Sequence, residues 1–185
     1  HKKLLFYLWK NQHTSPFEQC NITFNIKLPI FVQGQMVRHR TQRLNQVSAR
    51  YTEMPDEFYI PNEWRKQDTK NKQGSIIGED LEHDKIREMF SNACGFAYDQ
   101  YKYLLGYGVS REMARMVLPQ NLYTEIYSNW DLNNLLRFFR LRLDEHAQEE
   151  IRDYAKAMYD ITKEIFPVTI EAYERYKIKV VDTQE

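Results

Sequence analysis

The chain has 185 residues, and its 26 Lys and Arg residues balance 26 Asp and Glu residues, which gives a formal net charge of zero. A neutral chain has no overall field that would draw it onto nucleic acid or an anionic membrane, so we expect neither partner. Its longest apolar run, Leu4 to Trp9, is six residues, far below the roughly 20 of a membrane span, and its two cysteines provide no disulfide framework. We therefore expect one domain over residues 1–185 and a cytoplasmic (intracellular) location.

The first half of the chain predicts two helices and two strands. Residues 2–10 are predicted to form a helix, and the alternation in NITFNIKLP, residues 21–29, indicates a half-buried strand. Pro29 suits the first turn of a helix that ends near His39. The segment SARYTEM, residues 48–54, is predicted to be a strand, and residues 61–76 an exposed loop.

The second half is mostly helical. A long helix is predicted from about residue 79 to 105, ending at Gly106, and Ser110 is predicted to cap a short helix that Pro119 closes. A strand over NLYTEIY and three helices are then predicted, at residues 121–127, 131–141, 145–166 and 168–178. No repeat or second-domain boundary is evident. Helices mixed with a few strands predict an α/β or α+β class.

The stretch RHRTQRLNQVSARY, residues 38–51, contains four arginines and one histidine but no acidic residue. Arginines so close together repel one another unless an anion lies between them. The planar guanidinium binds phosphate oxygens through two hydrogen bonds, so a phosphorylated small ligand is one interpretation. On a strand, Ser48 and Arg50 would share one face and bind the same phosphate. The alternatives are a surface loop paired with distant carboxylates and a nucleic-acid-binding loop.

A second cluster lies in LRLDEHAQEEIR, residues 141–152. Arg142 and His146 are four residues apart and are predicted to share a helical face. A solvated, salt-bridged helix start fits the pattern equally well, whereas His146 and Glu150 provide too few ligands for a metal site. Arg115 stands beside three apolar residues, and an arginine in such a setting usually has an anionic partner.

These segments together resemble the flavin-dependent thymidylate synthases. The signature is Arg-His-Arg, seven residues and then Ser, with an Arg-Tyr pair following. Further similar segments occur in the same order over nearly the whole chain: HTSPFEQ, PIFVQGQMVRHR, NKQGS, ARMVLPQNLYT and LRFFRLRLDEHAQEEIRDYA. The resemblance implies a mixed α/β domain with an antiparallel sheet and packed helices. It also implies that the family's N-terminal portion is missing ahead of the first helix.

The activity that the resemblance implies is the reductive methylation of dUMP to dTMP. The carbon donor would be 5,10-methylenetetrahydrofolate, and NADPH would reduce FAD, which delivers hydride to the pyrimidine. The family assembles as a homotetramer with active sites at subunit interfaces. Alternatives are a related flavin enzyme that modifies another pyrimidine nucleotide or transfers a hydroxymethyl group, and a non-catalytic nucleotide- or nucleic-acid-binding module.

The resemblance also assigns roles to residues. The positions that match flavin contacts are Arg38, His39, Arg40, Thr41, His13, Ser15, Glu18, Asp131, Asn133 and Arg137. The positions that match the dUMP site are Gln35, Gln46, Val47, Ser48, Ala49, Arg50, Arg115 and Arg142. Arg142, Ser48 and His146 are the catalytic candidates, with Arg142 at the uracil ring and His146 near the flavin edge. No metal is expected.

Several positions depart from the family pattern. Arg43 stands where Ser is usual, and Gln46 replaces a Glu in the dUMP site. The usual Asn-x-Arg appears as Asp131 and Asn133, while Arg137 replaces a His or Asn. We therefore hypothesise that an arginine has moved from position 133 to 137 on one helix face. For Ser48 we favour phosphate binding over nucleophilic attack, because no base is evident nearby.

Overall fold

The structure, a computed structural model, describes residues 1–71 and 74–176. The backbone forms two compact units: a terminal unit, His1–Thr23 with the chain from Asn129 onward, and a central unit, Phe24–Ser128. The extent of the predicted single domain, residues 1–185, stays a prediction. Within the described ranges, no helix is both long and apolar enough to cross a membrane.

Eight α-helices and five strands are found in the described residues. In chain order they are α1 (Lys2–Lys10), α2 (Ser15–Glu18), β1 (Asn21–Pro29), α3 (Ile30–Met36), β2 (Arg43–Gln46), β3 (Arg65–Gln67), β4 (Ser75–Ile77), α4 (His83–Gly106), α5 (Arg111–Ala114), β5 (Tyr123–Asp131), α6 (Leu132–Arg142), α7 (Glu149–Ile165) and α8 (Pro167–Arg175), with a 3₁₀ turn at Arg115–Val117. A three-stranded sheet has the order β1-β5-β2, and β3 pairs antiparallel with β4. This mixed α/β architecture with antiparallel pairing confirms the predicted fold class.

The terminal unit is built around α6. Asp131 precedes this helix, and its carboxylate accepts a 2.9 Å hydrogen bond from the backbone N–H of Asn134. Such a cap satisfies a donor that the first turn of a helix leaves free. Beyond the cap, α6 buries four large apolar side chains, Leu135, Leu136, Phe138 and Phe139. Because α6 contacts both α2 and α7, these side chains form the core of the unit.

In the central unit, α4 holds the segment that follows β2. Met54, Tyr101, Ala114 and Leu122 form a buried cluster. The hydroxyl of Tyr101 accepts a 3.2 Å hydrogen bond from the backbone N–H of Met54, and the hydroxyl of Tyr98 donates to the Met54 carbonyl at 3.0 Å. Both backbone groups of Met54 are thus paired although the residue is not in a strand. The segment between β2 and Met54 is therefore fixed at its far end.

The predicted strand over residues 48–54 is wrong. The carbonyl of Ser48 accepts hydrogen bonds from the backbone N–H groups of Tyr51 (3.1 Å) and Thr52 (3.0 Å), which closes a turn. The strand lies earlier, at β2, Arg43–Gln46. Serine side chains offer the backbone a local partner that competes with strand pairing, and here the hydroxyl of Ser48 accepts from the N–H of Arg50 at 3.3 Å. The prediction that Ser48 and Arg50 share a strand face is therefore wrong as well.

Two helix boundaries and one loop differ from prediction in the first half of the chain. Helix α3 ends at Met36 instead of near His39, because the N–H groups of Arg38 and His39 bond to carbonyls three residues back. Helix α4 begins at His83 instead of about residue 79, after a turn in which the N–H of Leu81 donates to the Gly78 carbonyl. The predicted loop over residues 61–76 contains β3 and the start of β4, while its residues 72 and 73 lie outside the described ranges.

Helix α7 begins at Glu149, four residues later than predicted. The carboxylate of Asp144 accepts a 2.9 Å hydrogen bond from the N–H of His146, so this segment turns between α6 and α7. His146 therefore does not share a helical face with Arg142, which corrects the sequence prediction. The last predicted helix is α8, Pro167–Arg175, and the positions 177 and 178 assigned to it lie outside the described residues.

Candidate functional site

A pocket in the central unit gathers five of the eight residues predicted to bind the nucleotide. Its volume is about 320 Å³. The five predicted residues in its wall are Gln46, Val47, Ser48, Ala49 and Arg115. The remaining wall is apolar apart from one hydroxyl and consists of Ile30, Met54, Leu118, Leu122 and Thr124. An apolar wall with a few convergent polar groups and one cation is typical of a site for a small polar ring compound.

Ser48 stabilises the turn that also contains Arg50. Its hydroxyl oxygen accepts the hydrogen bond from the Arg50 N–H, which leaves the hydroxyl proton free to point elsewhere. In the part of the chain that the structure describes, no histidine or carboxylate pairs with this hydroxyl. A serine without an adjacent base is a poor nucleophile but a good donor to an anion. The geometry therefore favours an anion-binding role.

Gln46 has both ends of its amide engaged. Gln33 on α3 donates from Nε2 to the Gln46 Oε1 at 2.6 Å, and the Gln46 Nε2 donates to Oγ1 of Thr124 at 3.1 Å. The next residue continues the attachment, because the N–H of Val47 donates to the Glu125 carbonyl at 3.0 Å. The amide is thus fixed between α3 and β5, at the edge of the pocket.

A group of charged residues adjoins the Ser48 turn. A nitrogen of Arg50 lies 3.1 Å from a carboxylate oxygen of Glu112, and Nε of Arg115 donates to the Glu112 carbonyl at 3.4 Å. Glu53 lies 3.0 Å from Lys102 and 3.7 Å from Arg111. The hydrogen bond from Lys102 holds the pKa of the Glu53 carboxyl below its ordinary value. Arg50 itself does not line the pocket.

The four predicted flavin residues Arg38 to Thr41 follow α3 directly. Arg38, Arg40 and Thr41 are exposed and His39 is half-buried. Within residues 1–71 and 74–176, no acidic side chain pairs with Arg38 or Arg40. Two exposed cations that are two positions apart in the chain and have no carboxylate partner can bind a diphosphate, which is the chemistry that a dinucleotide cofactor requires. Gln35, predicted to contact the nucleotide, lies half-buried on the last turn of α3.

A second pocket lies within the terminal unit and has a volume of about 380 Å³. Three residues predicted to contact the flavin line it: Glu18, Asn133 and Arg137. Nδ2 of Asn133 donates to a carboxylate oxygen of Glu18 at 3.4 Å. Arg137, one turn further along α6, faces the same pocket as Asn133. This shared position supports the hypothesis that an arginine has moved along the helix.

The remaining flavin candidates of the terminal unit do not line this pocket. The ring of His13 packs edge-on against Tyr7, with centroids 6.0 Å apart, and Ser15 is exposed at the start of α2. Asp131 uses both carboxylate oxygens on Asn134, one on the backbone N–H and one on the side-chain Nδ2 at 2.8 Å. Asp131 therefore has a structural function as a helix cap, whatever its role toward a cofactor.

Arg142 and His146 also lie outside both pockets. Arg142 is the last residue of α6 and is half-buried, and burial lowers the pKa of its guanidinium group. Nδ1 of the exposed His146 lies 3.1 Å from an oxygen of Asp144. Among the described residues, no cluster of three or more potential metal ligands is found.

Sequence reasoning missed four residues that position the site: Gln33, Gln42, Glu112 and Thr124. Gln42 is one of the seven residues between Arg-His-Arg and Ser48, and the signature specifies only their number. The other three lie outside that signature and reach the site through side-chain hydrogen bonds or an ion pair. No local pattern reports such contacts, since they depend on how α3, α5 and β5 approach β2.

Comparison with known proteins identifies related chains. The sequence profile of the family described as "Thymidylate synthase complementing protein" matches residues 1–168. The chain is 45% identical over 179 residues to the flavin-dependent thymidylate synthase of Treponema denticola, with 94% of this chain and 67% of that protein covered. Identity to the Kosmotoga olearia flavin-dependent thymidylate synthase is 47% over 174 residues, with coverages of 93% and 75%.

A similar solved structure is the UMP/dUMP methylase PolB from Streptomyces cacaoi. With 5-Br UMP bound, its TM-score to this chain is 0.89 at 32% identity, covering 95% of this chain and 82% of that one. With 5-Br dUMP bound, the TM-score is 0.86 at the same identity, and 79% of that chain is covered. These values show that the described fold is similar to that of this UMP/dUMP methylase.

Proposed function

This chain belongs to the flavin-dependent thymidylate synthase family, and we propose that it converts dUMP to dTMP with 5,10-methylenetetrahydrofolate and NADPH as co-substrates. The family, the fold class and the enzyme class predicted from the sequence are thereby confirmed. The observation that carries the proposal is the pocket in which Gln46, Ser48 and Arg115 meet. The intracellular location stays a prediction.

The pocket supports binding of a pyrimidine nucleotide. Its apolar wall suits a flat ring, while the Ser48 hydroxyl and the Arg115 guanidinium can donate to phosphate oxygens. Arg50 follows Ser48 in the same turn and adds a second guanidinium group. The fixed amide of Gln46 presents a neutral polar edge to the base or sugar, where the family pattern has a carboxylate.

The residues after α3 fit the diphosphate of FAD, because Arg38 and Arg40 are exposed cations without a carboxylate partner in the described ranges. Within the terminal unit, the pocket of Glu18, Asn133 and Arg137 offers amide, carboxylate and guanidinium groups to a cofactor. Bound by these residues, FAD would supply the hydride, received from NADPH, for the reduction that completes the methyl group. The protein binds and orients the reactants.

Arg142 is the proposed catalytic cation. Burial removes water from its guanidinium group, which lowers the pKa of that group, and a desolvated cation interacts more strongly with negative charge than one in bulk water. We place it at the uracil ring, where it stabilises negative charge that develops on the pyrimidine as carbon is transferred. His146 and Ser48 then act through binding and orientation.

A homotetramer is the proposed assembly, and α4 carries the supporting observation. Met89, Phe96 and Tyr103 stand seven residues apart on this helix, so they share one face, and they are 65%, 67% and 63% exposed. A row of large exposed apolar side chains is typical of a surface that another chain covers. Light scattering of the wild type and of Phe96→Glu tests this: the variant should dissociate into smaller species, and an unchanged mass would contradict the assignment of this face.

The nucleotide site is tested by dUMP titration of the FAD-loaded protein. Arg115→Ala should weaken dUMP binding by about tenfold or more, because a charge-assisted hydrogen bond contributes roughly 1.5–3 kcal/mol. Arg111→Ala is the matched control, since Arg111 begins helix α5 only four residues before Arg115 but pairs with Glu53 and does not line the pocket. Equal losses in both variants would contradict the proposed site.

A further inference from the structure

Glu112 connects the two arginines that flank the proposed phosphate site. Its carboxylate lies 3.1 Å from the Arg50 guanidinium, and its backbone carbonyl accepts from Nε of Arg115 at 3.4 Å. Arg115 lines the nucleotide pocket together with Ser48, whose hydroxyl accepts from the Arg50 N–H. A single residue of α5 therefore contacts both cations that we assign to the phosphate.

The charges of this group do not balance. Glu112 contacts two cations, the Arg50 guanidinium through its carboxylate and Nε of Arg115 through its backbone carbonyl, so two positive charges face one negative charge. The difference is one positive charge. A phosphate monoester carries about two negative charges at neutral pH, so this group would attract a nucleotide phosphate.

The ion pair between Arg50 and Glu112 is poorly suited to stabilising the fold. Its side chains are 56% and 52% exposed, and exposed ion pairs contribute little to stability because water screens them. The carboxylate nevertheless occupies guanidinium N–H donors that a phosphate would use. Glu112 thus keeps Arg50 in one orientation while competing with the ligand for it.

We propose that Glu112 is a positioning residue that holds Arg50 when no nucleotide is bound and yields it to the phosphate when dUMP binds. The inference rests on the proposed function, because it assumes that Arg50 and Arg115 bind a nucleotide phosphate. Removing the carboxylate removes the competitor and adds one net positive charge beside the phosphate. The nucleotide should therefore bind more tightly, and it should do so only through its phosphate.

The experiment is a titration of FAD-loaded wild type and Glu112→Gln with dUMP and with deoxyuridine, which lacks the phosphate. The Kd of dUMP should fall by about two- to fivefold, the range that an exposed ion pair can account for. The Kd of deoxyuridine should stay unchanged, while KM for dUMP should fall with its Kd. Glu112→Asp, which keeps the charge, should resemble the wild type.

Two controls separate this role from a general charge effect. Glu171→Gln makes the same charge change at an exposed glutamate that pairs with Lys2 in the terminal unit, and it should leave dUMP binding unchanged. In an Arg50→Ala background, Glu112→Gln should lose most of its effect, because the carboxylate then has no guanidinium to withhold.

The outcomes distinguish the inference from the function on which it rests. Weaker or unchanged dUMP binding in Glu112→Gln, or a parallel change for deoxyuridine, overturns the role of Glu112 and leaves the proposed function intact. A wild-type protein that binds no dUMP and forms no dTMP overturns both.

Discussion

The hydroxyl of Ser128 donates a 2.6 Å hydrogen bond to Oε1 of Gln42, which attaches the Arg-His-Arg turn to strand β5. On its other side, Nε2 of Gln42 donates to the carbonyls of Met36 at 2.7 Å and His39 at 3.2 Å. These two carbonyls lie at the end of α3 and within the turn. The single side chain of Gln42 therefore closes the helix and fixes the segment that carries Arg38 and Arg40.

Gln42→Met should weaken FAD binding by about tenfold, because methionine fills similar space but cannot donate to the two carbonyls. The turn would then sample other conformations, and ordering it again would oppose cofactor binding. Flavin absorbance after dialysis against known FAD concentrations measures the effect. Gln100→Met on α4 is the control for a loss of an amide elsewhere. Unchanged FAD affinity in Gln42→Met would show that the turn does not need this attachment.

Ser48→Ala should retain turnover. A nucleophile would be indispensable, whereas a phosphate ligand contributes one charge-assisted hydrogen bond, so dUMP affinity should fall by about tenfold with kcat within a few-fold of the wild type. Steady-state kinetics at saturating dUMP separate kcat from KM. Loss of all dTMP formation in a folded Ser48→Ala protein at saturating dUMP would contradict the assigned role.

Asp131→Ala should lower the free energy of unfolding by about 1 kcal/mol, because α6 loses its N-terminal cap. Asp131→Ser should retain most of the stability, since serine is also a good cap. Urea denaturation measures both. If Asp131 in addition contacts the flavin, Asp131→Ser will bind FAD more weakly despite its stability. Equal stability of the alanine variant and the wild type would show that the cap contributes nothing.

The Glu53 carboxylate gives a pH-dependent contribution to stability. Its folded pKa lies below the ordinary value of 4.5, chiefly through the hydrogen bond from Lys102, and that of Lys102 is raised above 10.5 by the same bond. A depressed carboxyl pKa stabilises the fold above the unfolded pKa and ceases to do so as the pH falls through the folded value. Glu53→Gln should therefore melt at a lower temperature than the wild type at pH 7, and the two melting temperatures should converge as the pH falls from 4.5 through the lower folded pKa of Glu53. A difference that does not shrink on acidification below pH 4.5 would assign it to another cause.

Much of the fold follows from periodicity. The alternation of Ile22, Phe24 and Ile26 predicted β1, and residues 2–10 predicted α1 with its observed bounds. The errors occur where side chains pair with nearby backbone. Ser48 and Asp144 each accept a hydrogen bond from an N–H two residues ahead, and these bonds convert a predicted strand and a predicted helix start into turns. The pattern of hydrophobic residues does not reveal where a side chain competes for a backbone hydrogen bond in this way.

The candidate site likewise contains residues that the sequence predicts and residues that it does not. The family resemblance implied that residues 46–49 and Arg115 belong to one nucleotide site, and one pocket in the structure contains them. The residues that orient them were not predictable from a single chain. Gln33 reaches Gln46 across 13 positions, and Thr124 does so across 78. Their contacts depend on the sheet order, which the sequence pattern alone does not specify.

The most direct measurement is anaerobic incubation of the FAD-loaded protein with dUMP, 5,10-methylenetetrahydrofolate and NADPH, followed by mass spectrometry of the nucleotide. The proposed function predicts a dTMP product that disappears in Arg142→Ala. Flavin reduction without dTMP, or a hydroxymethylated nucleotide in its place, would contradict it and would indicate that Gln46 and the other departures have redirected the chemistry.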